Sequence, residues 1–204
     1  IYKLIFNEDD IDSKEVQEEV DLIDLRQQRL IKQASKDIPE NRFRCVVDVK
    51  GDGFCGFRAL AVQVFGDENR FLDVKFAMRD QLIQNLDIYL QIFGSEHWFL
   101  SPECSRVAAC TFGLSTAVYS AFDACIFLPV LPRFNESAYK TGNKPLPLVL
   151  HHVNSKHWVT PSMKRPIKLV WPNINHLHSQ AMHKLSKDDR VQSFWSLHLS
   201  FKKK

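Results

Sequence analysis

The sequence lacks several features that would assign it to a familiar structural class. Its 204 residues contain no C-x-x-C pair, no arginine-rich stripe and no internal repeat. No apolar run approaches the roughly 20 residues that a transmembrane helix needs. These absences argue against zinc ribbons, solenoids and membrane spans, and they predict a protein with neither nucleic-acid nor membrane partners.

Cysteine is present in an odd number, which argues against a disulfide framework. The hydrophobic content of 45% and charged content of 25% are ordinary for a globular protein. Free thiols fit a reducing compartment, so we expect a cytoplasmic or nuclear location. In such a compartment a cysteine is either an inert part of the core or a working thiol. The five cysteines are Cys45, Cys55, Cys104, Cys110 and Cys125.

Three histidines near the C-terminus raise the question of a metal site. His176, His178 and His183 lie close together in a segment expected at the surface. No cysteine or carboxylate pattern completes a zinc site around them. We therefore predict neither a metal nor another cofactor.

Charge is unevenly distributed along the chain. The net charge is +3, yet residues 1–40 carry 6 basic and 11 acidic side chains. Apolar residues in this acidic segment recur near one helical face, and Pro39 then interrupts the pattern. We predict a helical extension over residues 1–40 and a main domain over residues 41–204. The apolar residues of the extension are Val16, Val20, Ile23, Leu30 and Ala34.

Helical patterns dominate the first half of the main domain and strand patterns the second half. Helices are expected directly after Cys55, over 71–93, from Ser101 and over 115–122. Strands are expected over 42–49, 124–131, 146–153, 157–161 and 167–171, while 190–201 fits either state. The strands over 146–153 and 157–161 should form a hairpin. This order predicts an α+β fold in which the cysteine helix packs on an antiparallel or mixed sheet.

The stretch GDGFCGFRAL (51–60) places a cysteine between a turn and a helix. A helix N-terminus and a histidine partner both favour the nucleophilic thiolate. The glycines at 51 and 53 allow a tight turn, whose backbone N–H groups around Gly53 to Cys55 could hold an oxyanion. Cys55 is therefore a candidate nucleophile, although a small buried core residue would fit the local pattern equally well.

A cysteine nucleophile needs a fixed histidine as its base. His157 opens a predicted strand after a turn, and Trp158 next to it could exclude water from a site. His151 and His152 precede that turn and are adjacent in sequence, so only one of them can face inward. His157 is the leading candidate.

Together these motifs resemble those of the ovarian-tumour (OTU) family of cysteine proteases. Residues 52–58, Asp-Gly-Phe-Cys-Gly-Phe-Arg, are similar to the family's Asp-Gly-x-Cys signature, and His157-Trp158 is similar to its late histidine–aromatic motif. Phe54 and Gly56 stand where the family often has Asn and Leu. The resemblance covers about residues 42–172. It implies a papain-like OTU cysteine-protease fold with helices packed on a small, mostly antiparallel sheet.

The resemblance also implies a deubiquitinase, which cleaves the peptide or isopeptide bond after the C-terminal Gly-Gly of ubiquitin or polyubiquitin. Carried over, Cys55 attacks the carbonyl carbon to form a thioester, and His157 accepts the thiol proton and later activates water. Asp52 belongs to the family's active-site signature, where we expect it to shape the loop beneath the oxyanion hole. The backbone amides of Gly53, Phe54 and Cys55 would form that hole.

The residue that orients His157 is less evident. Many OTU proteases have Asp or Asn two residues after the histidine, where this chain has Val159. The orienting group must then come from elsewhere. Asp48, on the strand before the motif, ranks first, and Asn173 and Asn175 are the alternatives.

The sequence also offers candidate substrate contacts and is compatible with two alternative functions. Trp158 and Trp98 are candidates to line the substrate cleft, and the polar loop over 133–145 is a candidate ubiquitin contact. Because Val159 replaces an acid, a catalytically weak or silent ubiquitin-binding module is one alternative. A protease for another ubiquitin-like modifier or for a polyprotein is a further alternative.

Overall fold

The structure, a computed structural model, describes residues 13–34, 38–93, 101–120, 123–131, 146–153, 156–164 and 171–191. Several sequence-based predictions lie wholly or largely outside these residues. They are the cleft role of Trp98, the ubiquitin-contacting loop over 133–145, the strand over 167–171 and the element over 190–201.

Helices make up most of the first half of the chain. The described helices are α1 (Ser13–Ala34), α2 (Cys55–Phe65), α3 (Phe71–Gln84), α4 (Leu86–Phe93), α5 (Ser101–Phe112) and α6 (His176–Lys184). Helix α2 ends at Gly66, whose φ of 74° lies in the left-handed region that glycine adopts without strain. Among the helices of these ranges, none is both long enough and apolar enough to cross a membrane.

Within the described residues, five strands form one sheet in the order β1-β5-β4-β2-β3. They are β1 (Phe43–Val47), β2 (Thr116–Tyr119), β3 (Ala124–Phe127), β4 (Leu148–Val153) and β5 (His157–Met163). Only β2 and β4 pair in parallel, and the other neighbouring strands are antiparallel. Strands β4 and β5 form the expected hairpin, with His157 opposite Val153. The predicted α+β fold with a mostly antiparallel sheet is confirmed.

Each face of the sheet carries its own apolar core, because alternate strand residues point to opposite faces. On one face, Leu148 and Leu150 of β4 join the core that includes Cys55 and Leu60 of α2. On the other face, Val149 and Val153 of the same strand pack in a cluster that contains Leu30 of α1. The sheet is thus covered by α2 on one side and by α1 on the other. The helix predicted in the acidic segment is present, and the domain boundary at residue 40 stays a prediction.

The single helix predicted over residues 71–93 is wrong, because the chain breaks at Asn85. The side-chain amide of Asn85 donates to the carbonyl oxygen of Gln81, and its backbone N–H donates to the carbonyl oxygen of Leu82. These bonds end α3, and α4 begins as a separate helix at Leu86. Two apolar residues of the predicted helix also face solvent, since Phe76 is 48% and Ile83 63% exposed.

The short helix predicted over residues 115–122 is also wrong. Residues Thr116–Tyr119 form β2, which lies between β3 and β4 and is buried along its whole length. A strand covered on both faces loses the alternation of polar and apolar residues, so its pattern is ambiguous between helix and strand.

Candidate active site

The loop between β1 and α2 is held by an ion pair between two residues of the cysteine motif. Arg58 Nη2 lies 2.6 Å from Asp52 Oδ2, and Arg58 Nε lies 3.1 Å from both carboxylate oxygens. The backbone N–H of Phe54 donates to Asp52 Oδ1 at 3.1 Å. Asp52 therefore bridges the turn and the second turn of α2.

The same contacts determine the charge state of Asp52. Its hydrogen bond to Arg58 lowers the pKa of the Asp52 carboxyl from an ordinary 3.8 to about 2, and burial only partly opposes that shift. The pKa of the Arg58 guanidinium is correspondingly raised. Asp52 is thus a permanent anion at neutral pH and is committed to Arg58.

A second layer of contacts supports Arg58 and the loop. The Arg58 guanidinium lies 4.1 Å from the centre of the Phe71 ring, a cation–π contact. Its Nη1 donates to the backbone carbonyl oxygen of Glu68, whose side chain accepts the backbone N–H of Lys50 at 2.9 Å. The ring of Phe54 packs 5.3 Å from that of Phe71. The backbone around the cysteine is therefore fixed from both ends of the loop.

Cys55 is the first residue of α2, and it is 8% exposed. The preceding residue, Phe54, is the N-cap and offers no side-chain hydrogen bond. Free backbone N–H groups and the helix dipole at such a position favour a negative charge on the sulfur. The thiol belongs to the apolar core beneath α2, so it is shielded from solvent.

Two glycines show how closely this region approaches β5. A Cβ atom built on Gly51 would lie 3.7 Å from both Nδ1 and Cε1 of His157. A Cβ built on Gly56 would lie 3.5 Å from Cδ1 of Trp158. Gly51 and Gly56, which precede and follow Cys55 in the motif, thus lie close to the first two residues of β5.

His157 is bonded on its other side by Asp48. Nε2 of His157 lies 2.8 Å from Oδ1 of Asp48, which directly follows β1. This bond fixes the ring and leaves Nδ1 on the edge that faces the cysteine loop. Nδ1 is therefore the nitrogen available to exchange a proton with a group bound there.

Asp48 has a second partner that the sequence did not suggest. Its Oδ2 accepts hydrogen bonds from Nε of Arg26 at 2.8 Å and from Nη2 of the same guanidinium. Arg26 belongs to α1, within the acidic segment. A lone basic residue at that distance in sequence carries no motif, so only the three-dimensional structure reveals the contact.

The other two candidates for orienting His157 lie beside β3, at the opposite edge of the sheet from β1. The side chain of Asn175 caps α6 by accepting the backbone N–H of His178, and it contacts Arg106 at 3.4 Å. Asn173 accepts the backbone N–H of Ile126 through its own backbone carbonyl. Of the three candidates, the structure brings only Asp48 to His157.

Trp158 lies against the core rather than projecting freely. Its indole stacks on the ring of His152, with the ring centres 4.4 Å apart, and it packs beside the first turn of α2. Burial, and to a smaller extent the neighbouring His157, lower the pKa of His152. His152 is therefore neutral at neutral pH, and a neutral ring is compatible with this stacked position.

The predicted oxyanion donors are not equivalent. Gly53 has a φ of 84°, a left-handed conformation that orients the turn. The N–H of Phe54 is already bonded to Asp52 Oδ1. The amides of Gly53 and Cys55 are therefore the better candidates to receive an oxyanion.

The histidine cluster near the C-terminus does not behave as a surface metal site. His178 is buried, and its Nε2 accepts the backbone N–H of Leu128. The expectation that it lies at the surface is wrong, because α6 turns this side chain toward β3. In the part of the chain that the structure describes, no group of three or more His, Cys, Asp or Glu side chains could hold a metal ion.

Comparisons with known proteins give structural matches. No protein-family model and no curated protein matches the sequence. The chain is similar to the viral OTU domain protease from Farallon virus, with 18% identity and a TM-score of 0.43 over 63% of this chain and 88% of that chain. It is also similar to the OTU domain of OTUD1, with 13% identity and a TM-score of 0.44 over 57% and 84% of the two chains.

A third similar structure is the Hazara virus OTU bound to ubiquitin, with 16% identity and a TM-score of 0.38 over 58% of this chain and 80% of that chain. All three are OTU domains, the family that the two sequence motifs resemble.

Proposed function

We propose that this chain is an OTU-type cysteine protease that removes ubiquitin by cleaving the bond after its C-terminal Gly-Gly. The observation that carries the proposal is the position of His157. Its Nε2 is bonded to Asp48, and its Nδ1 faces the loop that ends at Cys55. A cysteine at a helix start, a histidine and a carboxylate are the parts of a thiol-protease triad.

In the proposed reaction, His157 Nδ1 accepts the proton of the Cys55 thiol, and the thiolate attacks the carbonyl carbon of the scissile bond. The resulting oxyanion is held by the backbone N–H groups of Gly53 and Cys55. Nδ1–H then protonates the leaving amine, the C–N bond breaks and a thioester remains. His157 next takes a proton from water, the hydroxide attacks the thioester, and the thiol returns with release of the ubiquitin carboxylate.

In this scheme Asp48 and Asp52 have different roles. Asp48 fixes the ring of His157 and stabilises the imidazolium that forms during each proton transfer. Asp52 shapes the loop through Arg58 and the Phe54 amide, and it contacts no reacting atom. The proposed catalytic domain spans residues 41–204, in a reducing cytoplasmic or nuclear environment.

The proposal is tested with ubiquitin that carries an electrophile in place of its last glycine, under reducing conditions. We expect one covalent adduct, located on Cys55 by peptide mapping. Cys55→Ala should give no adduct while keeping the thermal unfolding midpoint of the native chain. Cys45→Ala is the control, because Cys45 is a partly exposed thiol of β1 outside the cysteine motif, and this variant should still react.

Absence of any adduct with the native chain would overturn the proposal. An adduct formed only with a probe built on another ubiquitin-like modifier would transfer the activity to that modifier. The silent-module alternative predicts ubiquitin binding without turnover of a fluorogenic ubiquitin substrate. The bond between Asp48 and His157 favours the enzyme, because it supplies the carboxylate that Val159 does not.

A further inference from the structure

We propose that Arg26 in the N-terminal helix is a positioning residue for the Asp48–His157 pair, so that the acidic helix α1 forms part of the catalytic apparatus. This inference rests on the proposed function. Its structural basis is a continuous chain of contacts from α1 through Asp48 to His157.

The first link in that chain fixes α1 on the sheet. Leu30 is buried in the core on this face of the sheet, and Ile31 packs beside it. The side-chain amide of Gln27 makes two hydrogen bonds to Val46 of β1. Its Nε2 donates to the carbonyl oxygen at 2.9 Å, and its Oε1 accepts the backbone N–H at 3.0 Å.

Gln27 thereby sets the register of α1 against β1. Both backbone groups of Val46 are satisfied by one side chain, which works only at a single position of the helix along the strand. The partner of Val46 across the sheet is Pro161, which has no N–H to donate. Arg26, the neighbour of Gln27, is therefore held at a defined height beside Asp48, two residues beyond Val46.

The second link is the division of the Asp48 carboxylate between two partners. Oδ2 accepts both Nε and Nη2 of Arg26, and Oδ1 lies 2.8 Å from His157 Nε2. Without Arg26, the carboxylate could rotate about its Cβ–Cγ bond to orientations in which neither oxygen points at Nε2 of His157. With Arg26 in place, rotation would break two hydrogen bonds, so Oδ1 remains directed at the imidazole.

The solvent exposure of the Arg26 side chain distinguishes a role in positioning Asp48 from a role in stabilising the fold. The Arg26 side chain is 71% exposed, whereas that of Asp48 is 14% exposed. An ion pair with one partner this exposed contributes little to the stability of a fold. Loss of Arg26 should therefore be visible in the rate of the reaction rather than in the unfolding transition.

The test compares Arg26→Met with Arg29→Met. Arg29 lies on the same helix, is exposed and has the same charge, so the control removes one positive charge from α1 without touching Asp48. With a fluorogenic ubiquitin substrate, we expect Arg26→Met to lower kcat on the order of 10-fold with KM unchanged, as for loss of other groups that orient an active-site ligand. Arg29→Met should behave as the native chain, and Arg26→Lys should recover part of the loss.

A second measurement separates failure of this inference from failure of the proposed function. Cys55 is alkylated with iodoacetamide, and its rate is followed by peptide mapping, which needs no ubiquitin. One outcome is that the native chain does not turn over ubiquitin, while Cys55 is alkylated more slowly in Arg26→Met than in the native chain. That outcome would overturn the proposed function and retain the positioning role of Arg26. Equal kcat and equal alkylation rates in the native chain and Arg26→Met would overturn the inference.

Discussion

Asp48 and His157 lie at the ends of adjacent antiparallel strands and are joined by a 2.8 Å hydrogen bond between Oδ1 and Nε2. The pairing of β1 with β5 brings together residues that are far apart in sequence. The carboxylate then stands on the side of the imidazole opposite the cysteine loop.

Replacing Asp48 should reduce turnover much more than it reduces substrate binding. We expect Asp48→Ala to lower kcat by about 100-fold or more, because an unoriented imidazole loses its tautomer and position. Asp48→Asn should retain more activity than Asp48→Ala, since its amide oxygen can still accept a hydrogen bond from Nε2–H of His157. Steady-state kinetics with a fluorogenic ubiquitin substrate measure the difference. Asn173→Ala should be unimpaired, and a comparable loss in that control would contradict the role of Asp48.

The Asp52–Arg58 pair should make a contribution to stability that depends on pH. The folded state lowers the pKa of Asp52 to about 2, so the contribution is complete above the ordinary value of 3.8 and is lost as pH falls toward 2. We expect Asp52→Asn to lower the thermal unfolding midpoint by about 2–4 °C at pH 7, because solvent screens part of the interaction, and the gap from the native chain to narrow below about pH 4.

Asp80→Asn is the matched control for this prediction. Asp80 also pairs with an arginine, Arg79, but both side chains are about half exposed. Surface pairs of this kind contribute little, so the control should unfold within a degree or so of the native chain at pH 7. A gap between Asp52→Asn and the native chain that stays constant down to pH 2 would contradict the proposed titration.

The two glycines that flank Phe54 and Cys55 should respond to alanine in opposite directions. At Gly56 the new Cβ would meet Trp158 at 3.5 Å, an ordinary van der Waals contact, within a helix. Gly56→Ala should therefore raise the free energy of unfolding by about 0.5–1 kcal/mol. At Gly53 the φ of 84° strains any side chain, so Gly53→Ala should lower the free energy of unfolding by about 1–2 kcal/mol. Urea denaturation measures both changes, and equal signs would contradict the geometry.

The thiols of Cys110 and Cys125 should be distinguishable from that of Cys55 by their reactivity. Burial raises the pKa of the Cys110 thiol, and it does the same to Cys125. Both should therefore hold little thiolate at neutral pH and resist iodoacetamide in the folded chain. Peptide mapping at pH 7 should find Cys55 modified first, and all three modified after denaturation. Modification of Cys110 before Cys55 would contradict the assignment of Cys55 as the reactive thiol.

The sequence predicts the parts of this molecule whose signals are local. The turn and helix around Cys55 are readable because glycine, a motif acid and a helical apolar pattern follow one another directly. The β4–β5 hairpin that carries His157 is readable for the same reason. The parts that are missed depend on contacts across the fold. The strand at Thr116–Tyr119 has no polar face because both sides are covered, so its pattern does not distinguish strand from helix.

The residues of the candidate site also divide into those with local sequence motifs and those defined by contacts across the fold. Cys55 and His157 carry motifs, while Asp48 could be ranked only by its place on a strand beside them. Arg26 belongs to no sequence motif. Its contact with Asp48 arises where α1 packs beside β1, and only the tertiary structure defines that packing. Likewise, nothing in the sequence indicates that the Phe54 amide is already engaged by Asp52.

The two bonds from Gln27 to Val46 have a consequence for any shortened version of the chain. Within the described residues β1 forms one edge of the sheet, and α1 covers that edge at Val46. A chain begun at residue 41, where composition alone suggests a domain start, would leave the N–H and C=O of Val46 open beside a row of apolar residues. Open strand edges pair with other chains, so such a fragment should self-associate where the longer chain stays dispersed.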